Sequence, residues 1–224
     1  GDALADLNTA IRVNPNLVKA YRNRAGVRIA MAEPEEAIKD RSTAIELNGD
    51  VSRDYVLRGD LHYSLQRYSL AVRDYQKAVE IEQHYLDPVK RYVGLLTTCP
   101  DPSYHDPELA IELAHSAARR SSWQSADALI LLAAAHAAAG DFDEALRWQE
   151  QAIAIAPEEA RQELRKSANE FEQAKKDAQA SQPAEDAPKV NTQQPSPTPP
   201  AASPANSKEP SEKQTTRSKT PMGT

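Results

Sequence analysis

The side chains able to carry chemistry are few and scattered. The five histidines (His62, His84, His105, His115 and His136) and the single cysteine, Cys99, share no spacing that would assemble a metal site. Cys99 stands between Thr98 and Pro100 with no basic neighbour to lower its thiol pKa, so nothing marks it as a nucleophile. Seven glycines leave no glycine-rich phosphate loop. The carboxylate pairs Glu35-Glu36 and Glu158-Glu159 sit at helix starts, where the helix dipole explains them better than acid–base work. These residues imply no active site, no metal and no cofactor, and the chain reads as a non-enzyme. Regularity lies elsewhere: Arg24 precedes Asp40 by 16 residues, and Arg58 precedes Asp74 by 16.

The elements that position these charges follow from an internal repeat. Two alanines seven apart recur as Ala3/Ala10, Ala37/Ala44, Ala71/Ala78, Ala110/Ala117 and Ala145/Ala152, with steps of 34, 34, 39 and 35 between pairs. A further small residue stands twelve before the first alanine of three pairs: Ala25, Gly59 and Ala133. Small side chains let two antiparallel helices approach closely. A unit of this length cannot bury both of its faces alone, so neighbouring units must stack. Turn signals separate the helices. Asp141 with Glu144 forms a capping-box pattern after Gly140, Asp106-Pro107 reads as N-cap and first helical residue, and Gly49-Asp50 marks a helix end.

Composition divides the chain. It has 224 residues, 27 basic and 33 acidic, a net charge of −6 that argues against nucleic acid as a partner. Nine of its 16 prolines lie at or after Pro183, and no aromatic residue follows Phe171. The segment from Ser181 onward is therefore expected to be a disordered tail (181–224). No apolar run approaches a membrane span, and the lone cysteine fits a reducing, cytoplasmic compartment.

The repeat length, the small-residue positions and the blocks Leu95–Pro102, Ala110–Ala114 and Gly140–Pro157 resemble the tetratricopeptide repeat (TPR) family, in particular the C-terminal arrays of bacterial multi-TPR proteins. The resemblance implies an all-α, right-handed superhelical solenoid of antiparallel helix pairs over residues 1–157. Pairs are expected at about 17–48, 52–83, 87–119 and 126–156, after a first repeat that keeps only its second helix. A capping helix follows at 158–180, with an apolar stripe of Ala160, Leu164, Ala168, Phe171 and Ala174. The fourth unit carries five extra residues between its helices, within Cys99–Asp106. His62 and His136 occupy a place where the family often has tyrosine, which implies packing.

The resemblance also implies a function, a protein–protein interaction scaffold that holds a partner protein or peptide in a concave groove. The alternative is the regulatory C-terminal segment of a larger enzyme, such as a serine/threonine kinase. The family's groove positions fall here on Lys19, Arg22, Arg53, Tyr63 and Lys90 as candidate partner-binding residues, basic early and apolar late, which would suit a partner with an acidic end. The family's carboxylate clamp is not supported, because Gly26 stands where it needs Asn. Arg24 and Arg58 have three readings: a bridge to Asp40 and Asp74 within each unit, a cross-repeat pairing of Asp6 with Arg24 and Asp40 with Arg58, or presentation to a ligand.

Overall fold

The computed structural model describes residues 2–48, 51–82 and 86–181. The expected disordered tail, apart from Ser181, lies outside them, as do the Gly49-Asp50 turn and His84. Among the described residues the chain is all helix, with no strand. The order is α1 (Asp2–Val13), α2 (Val18–Ala30), α3 (Pro34–Leu47), α4 (Ser52–Ser64), α5 (Tyr68–Ile81), α6 (Leu86–Thr98), α7 (Pro107–Arg120), α8 (Ala126–Ala138), α9 (Phe142–Ile155) and α10 (Glu158–Ser181). Each helix packs on the next, and α6 also packs on α4 and α8. The result is a solenoid in which α2, α4, α6 and α8 are the first, or A, helices of successive units. The second, or B, helices are α3, α5, α7 and α9.

The alanine pairs are the crossing points. Ala37, Ala44, Ala71, Ala78, Ala110, Ala145 and Ala152 have no exposed surface. From α5 to α9, Ala71, Ala110 and Ala152 join one continuous apolar core with Val89, Val93, Leu95, Leu129 and Leu132. Earlier in the chain the core shrinks to Ala25, Ala37 and Leu61. What replaces it there is charge, described below.

Three A-to-B turns share one backbone. Ala32, Gln66 and Gly140 have φ of 58°, 58° and 79°. In each turn the residue after these donates its N–H five residues back, from Glu33 to Arg28 O, Arg67 to His62 O and Asp141 to His136 O. These are Schellman caps, in which the left-handed residue suits glycine. Ala32 and Gln66 carry a Cβ there at a cost of about 1 kcal/mol each. Ala32→Gly and Gln66→Gly are therefore expected to stabilise the protein by up to about 1 kcal/mol each, and Gly140→Ala to destabilise it by a similar amount. Chemical denaturation of the three variants checks this.

The extra residues of the fourth unit replace that turn with a built loop. A 3-10 turn at Pro102–Tyr104 is capped by Asp101, whose carboxylate accepts the Ser103 N–H at 3.0 Å. The Asp106 N–H donates to Leu96 O, and the Asp106 side chain accepts the Leu109 N–H to open α7. The loop folds back on the preceding unit: Tyr104 packs edge-on against Tyr68 (centroids 5.7 Å apart), and Tyr68 against Tyr63 (5.4 Å). Cys99 is buried at the loop's start.

The terminal helix is more polar in its contacts than a simple apolar cover. None of its side chains is fully buried, and Ala160 of the expected stripe is exposed. It is anchored to α9 by Gln149 Nε2 donating to Leu164 O at 2.9 Å and by a Lys175–Asp143 ion pair. Arg161 Nε also caps the end of α9 by donating to Ala156 O.

Candidate interaction groove

The repeated Arg–Asp spacing resolves into the bridge within each unit. Arg24 grips Asp40 with two parallel hydrogen bonds, Nε to Oδ2 at 2.9 Å and Nη2 to Oδ1 at 2.6 Å. Arg58 grips Asp74 with the same two bonds at the same lengths. The third nitrogen of each reaches the B helix before it, Arg24 to Asn8 and Arg58 to Ser42. Asn8 and Ser42 are equivalent positions, so each guanidinium ties three helices together. The cross-repeat pairing is overturned: Asn8, not Asp6, meets Arg24, and Ser42, not Asp40, meets Arg58. The carboxylate partners, first by hydrogen bonding, hold both guanidinium pKa values above the ordinary arginine value. Neither arginine is left to hold a ligand.

Asp40 also receives Arg28 at 2.8 Å. One unit later Arg28 becomes His62, which lies 3.9 Å from Asp74. Burial pushes the His62 imidazole's pKa down against the pull of Asp74. His62 is thus a buried packing residue, in line with the family's usual tyrosine at that place.

A second ionic joint has no counterpart in the pairwise spacing. Asp54, 1% exposed, sits at the start of α4 where the other units place Ala20, Pro88 and Ala128. It accepts from Arg22 Nε at 2.6 Å and from Arg41 Nη1 at 2.8 Å. Arg22 lies on α2 and Arg41 on α3, so one buried carboxylate joins two units. Of the five candidate groove residues, Arg22 is therefore already engaged. The signal was present but ambiguous, since an aspartate in the first turn of a helix ordinarily reads as a dipole partner.

The position after the bridging aspartate varies along the solenoid and sets each joint. It holds Arg41, Tyr75, Ala114 and Gln149. Arg41 reaches Asp54, and Gln149 reaches α10. Tyr75, 3% exposed, turns towards the A helices and donates its hydroxyl to Asp60 Oδ1 at 2.7 Å. Burial first, then the Asp60 acceptor, pushes the Tyr75 phenol well above its ordinary pKa.

Tyr75 forms the floor of a cavity of about 550 Å³ between α4 and α6, lined by Asp60, Tyr63, Lys90, Arg91, Gly94 and Thr98 among others. A second cavity of about 560 Å³ runs on from it past Arg53 and Val56, sharing Asp60, Asp87 and Arg91. Tyr63, Lys90 and Arg53 thus border one continuous groove. Lys19 lies on the preceding A helix, exposed. Lys19, Arg53 and Lys90 have no ion-pair or hydrogen-bond partner among the described residues. Arg91 is shared between Asp60 at 3.7 Å and Asp87 at 3.9 Å. The middle of the groove is therefore mixed in charge rather than uniformly basic. Gly94 has open space where a Cβ would stand, so a ligand backbone can approach α6 closely there. No cluster of three or more metal-ligating side chains occurs among the described residues. No described helix is long and apolar enough to cross a membrane.

Two segments match the tetratricopeptide repeat family, residues 55–85 and 126–159. No curated protein sequence matches the chain. Similar solved structures include the C-terminal part of a TPR repeat-containing protein from Cytophaga hutchinsonii (TM-score 0.61, 20% identity, covering 81% of this chain and 68% of that one). MamA is similar at TM-score 0.57 and 16% identity, with 68% of this chain and 85% of that one covered. YrrB, described as a TPR protein with an unusual peptide-binding site, is similar at TM-score 0.54 and 21% identity, with 78% and 93% covered. At these identities the likeness shows the fold.

Proposed function

We propose that this chain, a tetratricopeptide-repeat protein, is a non-enzymatic scaffold that holds a peptide segment of a partner protein along the groove between α4 and α6. The observation that carries this reading is the continuous cavity over Tyr75, with Tyr63 on its wall and open space above Gly94. A pocket with an aromatic wall, both signs of charge and room for a backbone suits an amphipathic polypeptide better than a small metabolite. The similarity to YrrB, itself described as having a peptide-binding site, supports the same class of ligand.

The partner's chemistry follows from which charges are spare. Asp60 and Asp87 are met by Arg91, whereas Lys19, Arg53 and Lys90 are exposed and have no ion-pair partner among the described residues. A segment carrying carboxylates beside an aromatic or aliphatic side chain would complement the three cations and Tyr63. Arg22 plays no part, because its guanidinium serves Asp54.

The test compares wild type with Arg53→Glu/Lys90→Glu in a pull-down at low and high salt, with melting temperatures alongside. Both side chains are exposed and without a partner among the described residues, so the double variant is expected to melt with wild type. It is expected to lose the partners that wild type keeps at low salt and sheds at high salt, since the Debye length is about 8 Å at physiological ionic strength. Retention of the same partners by the folded double variant would refute the groove assignment.

A further inference from the structure

The place that Arg24 and Arg58 close recurs in the next two units with other residues. It lies between successive B helices, over the A helix that runs between them. Its corners are Asn8, Arg24 and Asp40 in the second unit, and Ser42, Arg58 and Asp74 in the third, tied by the guanidinium bonds. In the fifth unit the same register gives His115, Leu132 and Trp148, and the ring of Trp123 fills the space. Trp123 stacks on Trp148, with centroids 5.2 Å apart and planes inclined by 12°, and meets His115 edge-on at 5.1 Å. It reaches this seat on a left-handed backbone, φ 63°, that a bulky residue rarely adopts.

The fourth unit leaves the place open. Its corners are Gln76, Tyr92 and Leu113, and a cavity of about 330 Å³ stands there, with Val79 and Leu109 completing its walls. An arginine could not close it as in the earlier units, because Leu113 replaces the accepting aspartate. The charge at its mouth is also reversed. One position on the outer side of the B helices holds Lys39, Arg73 and Arg147 in the second, third and fifth units, and Arg147 lies over the Trp148 ring at 4.9 Å. In the fourth unit that position is Glu112, which lines the cavity, is exposed and has no ion-pair partner among the described residues.

We propose that this cavity seats a tryptophan of a partner protein, with a lysine or arginine beside it meeting Glu112. The fifth unit shows the arrangement complete within one chain: an indole in the seat and a cation over the rings. The fourth unit has the apolar seat and a carboxylate, so the partner brings both the ring and the cation. A pocket of this size, with an aromatic and aliphatic lining and one charged group at its rim, suits one large anchor side chain. A second copy of this chain has no tryptophan to offer, since its two are stacked on each other. None of the lining residues borders the groove between α4 and α6, so this surface does not depend on that one.

The test titrates the full chain with the peptide acetyl-Lys-Trp-Lys-amide and follows the methyl signals of Val79, Leu109 and Leu113 by NMR. These signals are expected to shift saturably, and to stay in place when the peptide's tryptophan is replaced by alanine. The peptide acetyl-Glu-Trp-Glu-amide should bind at least about threefold more weakly, the effect of a surface charge pair gained or opposed. Glu112→Arg, at an exposed site, should melt with wild type and reverse that preference. The proposal is overturned if the three methyl signals do not move, if the alanine peptide moves them equally, or if folded Glu112→Arg binds the lysine peptide as wild type does. Shifts confined to Val56 and Leu95, which line the groove, would overturn it too, by placing the peptide there. Arg53→Glu/Lys90→Glu should leave binding at the cavity unchanged, so either reading can fail while the other stands.

Discussion

Asp54→Ala is expected to cost about 3–5 kcal/mol. The magnitude follows from what is left behind. Asp54 is 1% exposed and is the acceptor for two arginines, one of which, Arg41, is itself buried. Removing the carboxylate strands the Arg41 guanidinium beside a cavity, and breaking one side of a buried ion pair is far more costly than losing a surface pair. Asp6→Ala is the matched control. It removes an exposed carboxylate without a partner among the described residues and should change stability by less than about 0.5 kcal/mol. Urea unfolding of the two variants, read by circular dichroism, measures both. Equal midpoints would show that the joint between the second and third units does not rest on Asp54.

The contrast also shows what was legible without coordinates. The alanine pairs and the small residues twelve before them fix the helix crossings, because only a close approach explains small side chains at constant register. The pairing of Arg24 with Asp40 and Arg58 with Asp74 was readable for a related reason: the charges recur together in two units and vanish together in the next two. The Asp54 joint was not readable. It occurs once, so no second copy exposes it, and its two arginines lie 32 and 13 residues away on different helices. That single contact changes the reading of the groove, since it takes Arg22 out of the ligand-facing set. The groove positions themselves came from the family's register and not from chemistry. Their register told which residues face one another across α4 and α6, but not that Arg91 would offset Asp60 and Asp87.

Gly59→Val is expected to destabilise the protein by about 3 kcal/mol, and the reason is a single ring. A Cβ at Gly59 would stand 2.6 Å from Tyr75 Cε1 and 3.3 Å from Asp74 Cβ. Tyr75 cannot swing away freely, because it is 3% exposed and its hydroxyl is bonded to Asp60. Gly94→Ala, by contrast, adds a methyl group into open space within a helix and should stabilise by about 1 kcal/mol from helix propensity alone. The chain shows how the clash is relieved. The fourth unit has Val93 where the third has Gly59, and Ala114 where the third has Tyr75, so bulk on the A helix is matched by a small residue on the B helix. Tyr75→Ala alone should cost about 3–5 kcal/mol, through the cavity it leaves and the loss of the Asp60 bond. Gly59→Val/Tyr75→Ala recreates the fourth unit's pair and should cost well under the sum of the single changes, the signature of residues that compete for one space. Thermal unfolding of the four proteins closes the cycle, and simple additivity would contradict the packing described. Because Tyr75 is also the floor of the groove, the double variant should lose partner binding while recovering stability, which separates the ring's part in the core from its part in recognition.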